Sequence, residues 1–182
     1  MKQIIQKLIS QNKSAVIGID GCCASGKTTL SLALAEEFDA TVIHMDDFFL
    51  PHEMRSAERL SQAGGNVHYE RFIEEIVNGI KSGKDFSYRV FSCKECRFTK
   101  TVCVKSGKPI IIEGAYAFSP KIPNVFDLRI FLKTDYETQL NRILERNGAE
   151  ALEVFKSKWI PFENNYFSAF NIEKNCDVII NT

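Results

Sequence analysis

An α/β fold of three layers, with a parallel five-stranded sheet covered by helices on both faces, is the architecture this sequence predicts. Two observations point to it. Five short apolar runs rich in β-branched residues, "AVIGI" (15–19), "TVIHM" (41–45), "PIIIE" (109–113), "LRIFL" (128–132) and "DVII" (177–180), alternate with stretches of helical character. A glycine-containing segment follows the first run and opens onto a helix, the place where such sheets bind anions. With 182 residues, 45% of them hydrophobic, the chain has enough apolar surface for one substantial core, so a single domain over residues 1–182 is expected.

Taken in order, residues 2–13 place Ile4, Ile5, Leu8 and Ile9 at helical spacing between Lys and Gln, which predicts an amphipathic helix packed on the domain. Between the second and third apolar runs lies an insertion at about 49–108. It carries a helix, "YERFIEEIVNGI", and two segments, "FSYRVF" and "FTKTVCVKSG", that read as a β-hairpin. Ligands of open parallel sheets sit beyond the carboxyl ends of the strands, so this insertion can form a second wall there. In "TDYETQLNRILERNG", Thr134 and Glu137 fit a capping box and Gly148 a stop, with Tyr136, Leu140, Ile143 and Leu144 on the buried face. Arg142 and Arg146 are four apart and share another face. The aromatic residues of "WIPFENNYFSAF", Trp159, Phe162, Tyr166, Phe167 and Phe170, recur at near-helical spacing and are expected to cover the sheet.

"GCCASGKT", Gly21 to Thr28, matches the pattern G-x-x-x-x-G-K-[ST] after a strand and before a helix. Glycines let the backbone wrap around phosphate oxygens, and successive N–H groups with the helix N-terminus supply positive potential. The expected nucleotide contacts are Gly21, Ala24, Ser25, Gly26, Lys27, Thr28 and Thr29, with Lys27 near the β and γ phosphates and the Thr28 hydroxyl on Mg²⁺. Cys22 and Cys23 fill variable loop positions as small spacers, and Asp20 has no role in the pattern.

Phosphoryl transfer to an alcohol needs a group that orients and deprotonates the hydroxyl. Asp46 and Asp47 follow the second strand in "HMDDFFLP", where Phe48, Phe49 and Pro51 can wall a pocket for a flat or sugar-like acceptor. Glu113 ends the third strand and has three open roles: holding Mg²⁺ through water, binding acceptor hydroxyls, or bonding the phosphate loop.

The segments "GIDGCCASGKTT", "HMDDFFLP", "VHYERFIEEI", "IIIEGAYAF" and the arginine-bearing stretch before "WIPFENNYF" together resemble the uridine kinase and nicotinamide riboside kinase group of P-loop kinases. They occur in that group's order and span nearly the whole chain. The resemblance implies a P-loop nucleoside triphosphate hydrolase fold, ATP or another nucleoside triphosphate as donor, Mg²⁺ as cofactor, and a small-molecule acceptor, a nucleoside or riboside. It implies that Asp46 is the catalytic acid residue and that Glu113 contacts ribose or metal. Arg142 and Arg146 would belong to a lid at about 142–158 and act in catalysis with Lys27. Candidate acceptor contacts are Asp46, Phe49, His68, Tyr69, Glu70, Tyr88 and Glu113. "GGNVHYERF" lacks the acidic, proline-containing pattern of uridine kinases, which leaves the acceptor open; pantothenate is an alternative.

Other classes fit less well. Twenty-three Lys plus Arg balance twenty-three Asp plus Glu, which leaves no overall field to gather nucleic acid or an anionic membrane. No run reaches membrane-spanning length and the N-terminus lacks a signal-peptide core, so a cytoplasmic protein is expected. A homodimer is compatible with these features. Six cysteines in such a chain read as reduced thiols. Cys93, Cys96 and Cys103 offer three thiolates for zinc without a second C-x-x-C pair. A nucleotide-dependent regulator with slow hydrolysis would use the same loop, but it would need neither Asp46 nor the insertion.

Overall fold

The computed structural model describes residues 1–182. Seven strands form: β1 (Val16–Gly21), β2 (Thr41–His44), β3 (Phe86–Ser92), β4 (Arg97–Val104), β5 (Ile110–Glu113), β6 (Leu128–Lys133) and β7 (Val178–Asn181). Five of them make the parallel sheet, in the order β2–β5–β1–β6–β7, and each coincides with one of the five apolar runs. β1 runs beyond its apolar stretch to Gly21 because Asp20 and Gly21 still pair with Phe131 and Leu132 of β6.

Side chains alternate across the sheet, and the two faces build separate cores. Ile17 and Ile19 join Ile111, Leu128, Ile130 and Leu132 against α2 (Lys27–Phe38) through Leu34 and against α1 (Lys2–Gln11) through Ile5. In α1, Leu8 and Ile9 pack at the edge of this core, while Ile4 remains 49% exposed. Val16, Ile110, Ile112 and Phe131 face the other way into a larger core that takes in the insertion and the C-terminal helix. That helix runs over residues 149–169, with a π-helical stretch at Phe155–Trp159 between Ala149–Val154 and Ile160–Ala169.

The insertion begins with a 3₁₀ turn, Met45–Phe48, and returns through the short α3 (Ala57–Ser61) to a helix over 69–82 that contains a π turn at Ile73–Val77. β3 and β4 then form an antiparallel hairpin. Arg71, 5% exposed, ties these parts together. Its guanidinium donates to the Asp47 and Arg89 carbonyls, pairs with Glu75 at 3.4 Å, and lies 4.1 Å from the centre of the Phe48 ring. Glu75 also receives Arg89 Nε at 2.8 Å, so the helix, the hairpin and the acidic turn share one network.

Two local expectations change. The helix Tyr136–Asn147 is capped by Asp135, whose side chain accepts from Thr138 N at 2.9 Å; Thr134 instead donates its hydroxyl to the Thr182 carbonyl. Tyr136 and Leu144 are 56% and 44% exposed, whereas Gln139 and Ile143 are buried. The helix is rotated toward the phosphate loop because Gln139 Nε2 donates to the Cys23 carbonyl at 3.0 Å, a contact that apolar spacing does not encode. Gly148 does end this helix, its N–H bonding the Leu144 carbonyl with φ at 83°.

Replacing Arg71 leaves the Asp47 and Arg89 carbonyls without their donor and takes from Glu75 one of its two arginine partners. Arg71→Met is expected to lower the unfolding free energy by roughly 2–4 kcal/mol in a urea titration. A loss below about 0.5 kcal/mol, the range of an ordinary surface change, would contradict this role.

Candidate active site

The carboxyl ends of β1, β2 and β5 lie side by side because Ile19 and His44 both pair with Glu113. The strand order also reverses at β1, the position where open α/β sheets leave a crevice. From β1 the chain enters the loop at Gly21, with φ at 141° and no room for a Cβ, which would meet the Leu132 carbonyl at 2.0 Å. Gly26 caps α2 in the left-handed region at φ 89°. Lys27 Nζ is held over the loop by the Gly21 and Cys22 carbonyls at 2.8 and 2.9 Å. Ser25 Oγ is buried within the loop without a hydrogen-bond partner, so a phosphate oxygen seated there would satisfy it.

Two carboxylates face this loop. Glu113, 5% exposed, accepts from the Thr28 hydroxyl at 3.2 Å and lies 2.5 Å from His44 Nδ1. The hydrogen bond to Glu113 raises the His44 pKa, so this imidazole favours its charged form. Asp46 is open to the cleft yet crowded by its walls. Loss of hydration raises its pKa and the nearby Glu113 adds to the rise, while Lys27 and His44 oppose it.

Together these groups line a cleft of about 900 Å³. Lys27, Thr28 and Thr29 form its floor, Asp46 and Glu113 one side, and Arg142 and Arg146 another. Arg142 Nη1 contacts the Ala24 carbonyl at 3.3 Å and Thr182 Oγ1 at 3.2 Å. Gly26, Ala24 and Ser25 also line the cleft; Gly21 shapes the loop from beneath, as the first link to β1.

The acceptor contacts expected from sequence divide. Asp46, Phe49 and Glu113 line the cleft. Tyr69 is buried and donates to the Gly64 carbonyl at 2.9 Å, and His68 caps the insertion helix by accepting from Arg71 N at 3.1 Å. Glu70 forms a two-pronged ion pair with Arg59, at 2.9 and 3.0 Å, and Tyr88 stacks on Phe48 while donating to Asp47 Oδ2 at 3.2 Å. These four shape the wall of the insertion behind the cleft. Phe48 is fully buried in that wall, so of the two adjacent phenylalanines only Phe49 reaches the cavity.

Asn66, Tyr116, Phe155, Trp159 and Glu163 also line the cleft. Helical spacing predicts Trp159 over the sheet, but the π-helical stretch it ends alters the helical phase and turns it toward the cavity, while Tyr166 and Phe167 pack in the core. Glu163 is a lone acid in an aromatic run, and that oddity was the only sequence signal for it. Asp20 now has a role as well. It is fully buried, accepts from Gly21 N, Phe118 N and the Tyr166 hydroxyl at 2.7, 3.2 and 2.8 Å, and its pKa is pushed by burial up to about 6.

All six cysteines are free. The hairpin register sets Cys103 opposite Ser87, far along the strands from Cys93 and Cys96 at the turn, so these thiols do not converge on zinc. No three His, Cys, Asp or Glu side chains gather to hold a metal on their own. The oxygens present, the Thr28 hydroxyl and the Glu113 and Asp46 carboxylates, suit Mg²⁺, which keeps waters and shares its coordination with substrate phosphates.

A family profile described as "PRK: Phosphoribulokinase / Uridine kinase family" matches residues 16–170. The uridine-cytidine kinase B of Dictyostelium discoideum is 27% identical over 179 residues, covering 91% of this chain and 73% of that protein. The dephospho-CoA kinase of Fusobacterium nucleatum subsp. nucleatum is 31% identical over 156 residues, covering 79% of this chain and 80% of that protein. Among solved structures, a possible uridine kinase from Bacillus stearothermophilus has the same fold, with a TM-score of 0.70 at 21% identity over 98% of this chain and 96% of that one. With the profile reaching from β1 to the end of the C-terminal helix, the chain belongs to the phosphoribulokinase/uridine kinase family of P-loop kinases, which move a phosphoryl group from ATP to a hydroxyl.

Proposed function

We propose that residues 1–182 form one kinase domain that phosphorylates a hydroxyl of a nucleoside or riboside, with Asp46 as general base. The observation that carries this reading is an accessible carboxylate in the same cleft as the phosphate-loop lysine, on the turn that follows β2, with β5 between β2 and the strand that feeds the loop. A protein that only bound or slowly hydrolysed nucleotide would have no use for it. The nucleoside class draws on the names of two relatives, a uridine-cytidine kinase and a possible uridine kinase. The aromatic lining of Phe49, Tyr116, Phe155 and Trp159 suits a flat ring.

In this reading the loop amides and Ser25 Oγ seat the donor phosphates, and Lys27 turns its charge from the Gly21 and Cys22 carbonyls to the β and γ oxygens. Asp46 accepts the proton of the acceptor hydroxyl and aims its oxygen for in-line attack. Arg142 and Arg146, on a lid at about 142–158, bring positive charge to the transferred group. Mg²⁺ would be held by Thr28 Oγ1 and, through water, by Glu113, and would supply charge neutralisation of the donor phosphates. The insertion at 49–108 gives the acceptor its wall through Phe49 and Asn66. The proposed setting for this work on a small molecule is the cytoplasm; no helix of the chain is long and apolar enough to cross a membrane.

Asp46→Asn should retain ATP affinity within about threefold and lose roughly 10²–10⁴ in turnover; unchanged turnover in a steady-state assay would remove Asp46 as base. Arg142→Ala is expected to cost roughly 10²–10³ in kcat with a smaller change in KM for ATP, and an effect on KM alone would limit the residue to donor binding. Because Asp46 must be ionised to act and its pKa is raised, kcat/KM should fall as pH drops through a limb above the usual carboxylate range. A profile flat down to the ordinary carboxylate range would contradict the assignment.

A further inference from the structure

The backbone N–H groups of a phosphate loop serve anions, and in this chain a carboxylate from the C-terminal helix already holds one of them. Cys23 N donates to Glu163 Oε2 at 2.8 Å. Glu163 is 7% exposed and lines the cleft with Lys27 and Asp46, the first of which attracts its charge while the second repels it. It therefore stands on the side of the loop where phosphoryl group and acceptor meet. The helix that carries it is fixed by a second contact to the same loop: Tyr166 donates to Asp20 Oδ2 at 2.8 Å, and Asp20 Oδ1 accepts from Gly21 N at 2.7 Å. Gln139 Nε2 also holds Cys23, donating to its carbonyl at 3.0 Å. Residue 23 is thus held firmly, and the carboxylate occupies its N–H by construction.

One N–H cannot serve two anions at full strength, and a buried carboxylate beside a phosphoryl oxygen is repelled by it. A nucleoside diphosphate seated on Lys27 and the amides that begin α2 would leave the Cys23 N–H to Glu163. A triphosphate would extend one phosphoryl group further, toward the part of the cleft that Asp46 and Glu163 line. We propose that Glu163 is a positioning residue that holds the Cys23 N–H in place of the transferable phosphoryl group and surrenders it when a triphosphate, but not a diphosphate, binds. This rests on the kinase reading above. Its consequence is a selective cost on the triphosphate ground state, which is relieved once the phosphoryl group has passed to the acceptor. A merely structural tie between helix and loop would weaken the fold and affect both nucleotides alike.

The test is calorimetric titration of the full chain with Mg²⁺ and either ADP or the non-hydrolysable triphosphate AMPPNP, for wild type, Glu163→Gln and Glu163→Ala. Both variants should bind AMPPNP about tenfold more tightly than wild type while ADP affinity stays within about twofold. An unchanged ratio of the two affinities in folded variants would overturn the proposal. Wild type that binds neither nucleotide would instead sink the kinase reading beneath it. Should the variants fail to fold, wild type alone decides: Trp159, the single tryptophan, lies one turn from Glu163 and lines the cleft. Its fluorescence should respond to AMPPNP and not to ADP, and equal responses to the two would contradict a selective displacement.

Discussion

Parallel pairing of β1 with β5 on one side and β6 on the other is the constraint from which the rest of the molecule follows. It aligns Ile19 with Glu113, and β2 on the far edge of β5 aligns His44 with the same residue. A loop leaving β1, an acidic turn leaving β2 and a carboxylate ending β5 are therefore forced to one edge of the sheet. A slip of one residue in β5 would turn Glu113 to the other face and break its bonds to Thr28 and His44. The two apolar cores hold that register because each strand's alternate residues are committed to opposite faces.

Charge is the second constraint, since the cleft sets Asp46, Glu113 and Glu163 near one another. The cost appears in Asp46 and Glu163, whose pKa values both rise through loss of hydration. Lys27 offsets part of it for both, which makes the lysine a counter-ion to the acids as well as a phosphate ligand. Asp20 extends this logic to the buried side of the loop, where three donors stabilise a carboxylate that would otherwise be isolated.

The sheet was legible because apolar β-branched runs and a glycine loop carry their structural meaning locally. The floor of the cleft was legible for the same reason, since Gly26 and Lys27 act through backbone geometry fixed by their neighbours in sequence. The walls were not. His68, Tyr69, Glu70 and Tyr88 are polar or aromatic residues near the right place, but capping, core packing and an ion pair use their side chains, and these depend on partners such as Arg59 and Asp47 that sequence does not bring near. Trp159 faces the cleft rather than the sheet because a π-helical stretch shifts the phase that helical spacing assumes. The rotation of Tyr136–Asn147 is not encoded in apolar spacing, because a glutamine rather than an apolar side chain makes the contact.

The claim on which everything else rests is that this cleft transfers a phosphoryl group to an acceptor rather than holding or slowly hydrolysing nucleotide. Release of ADP from MgATP, measured with and without each member of a panel of nucleosides, ribosides and pantothenate, tests it most directly. Turnover stimulated at least about a hundredfold by a nucleoside or riboside, with one phosphorylated product per ADP, is the expected result. Tight nucleotide binding with the same slow hydrolysis across the whole panel would contradict it and make the chain a nucleotide-dependent regulator.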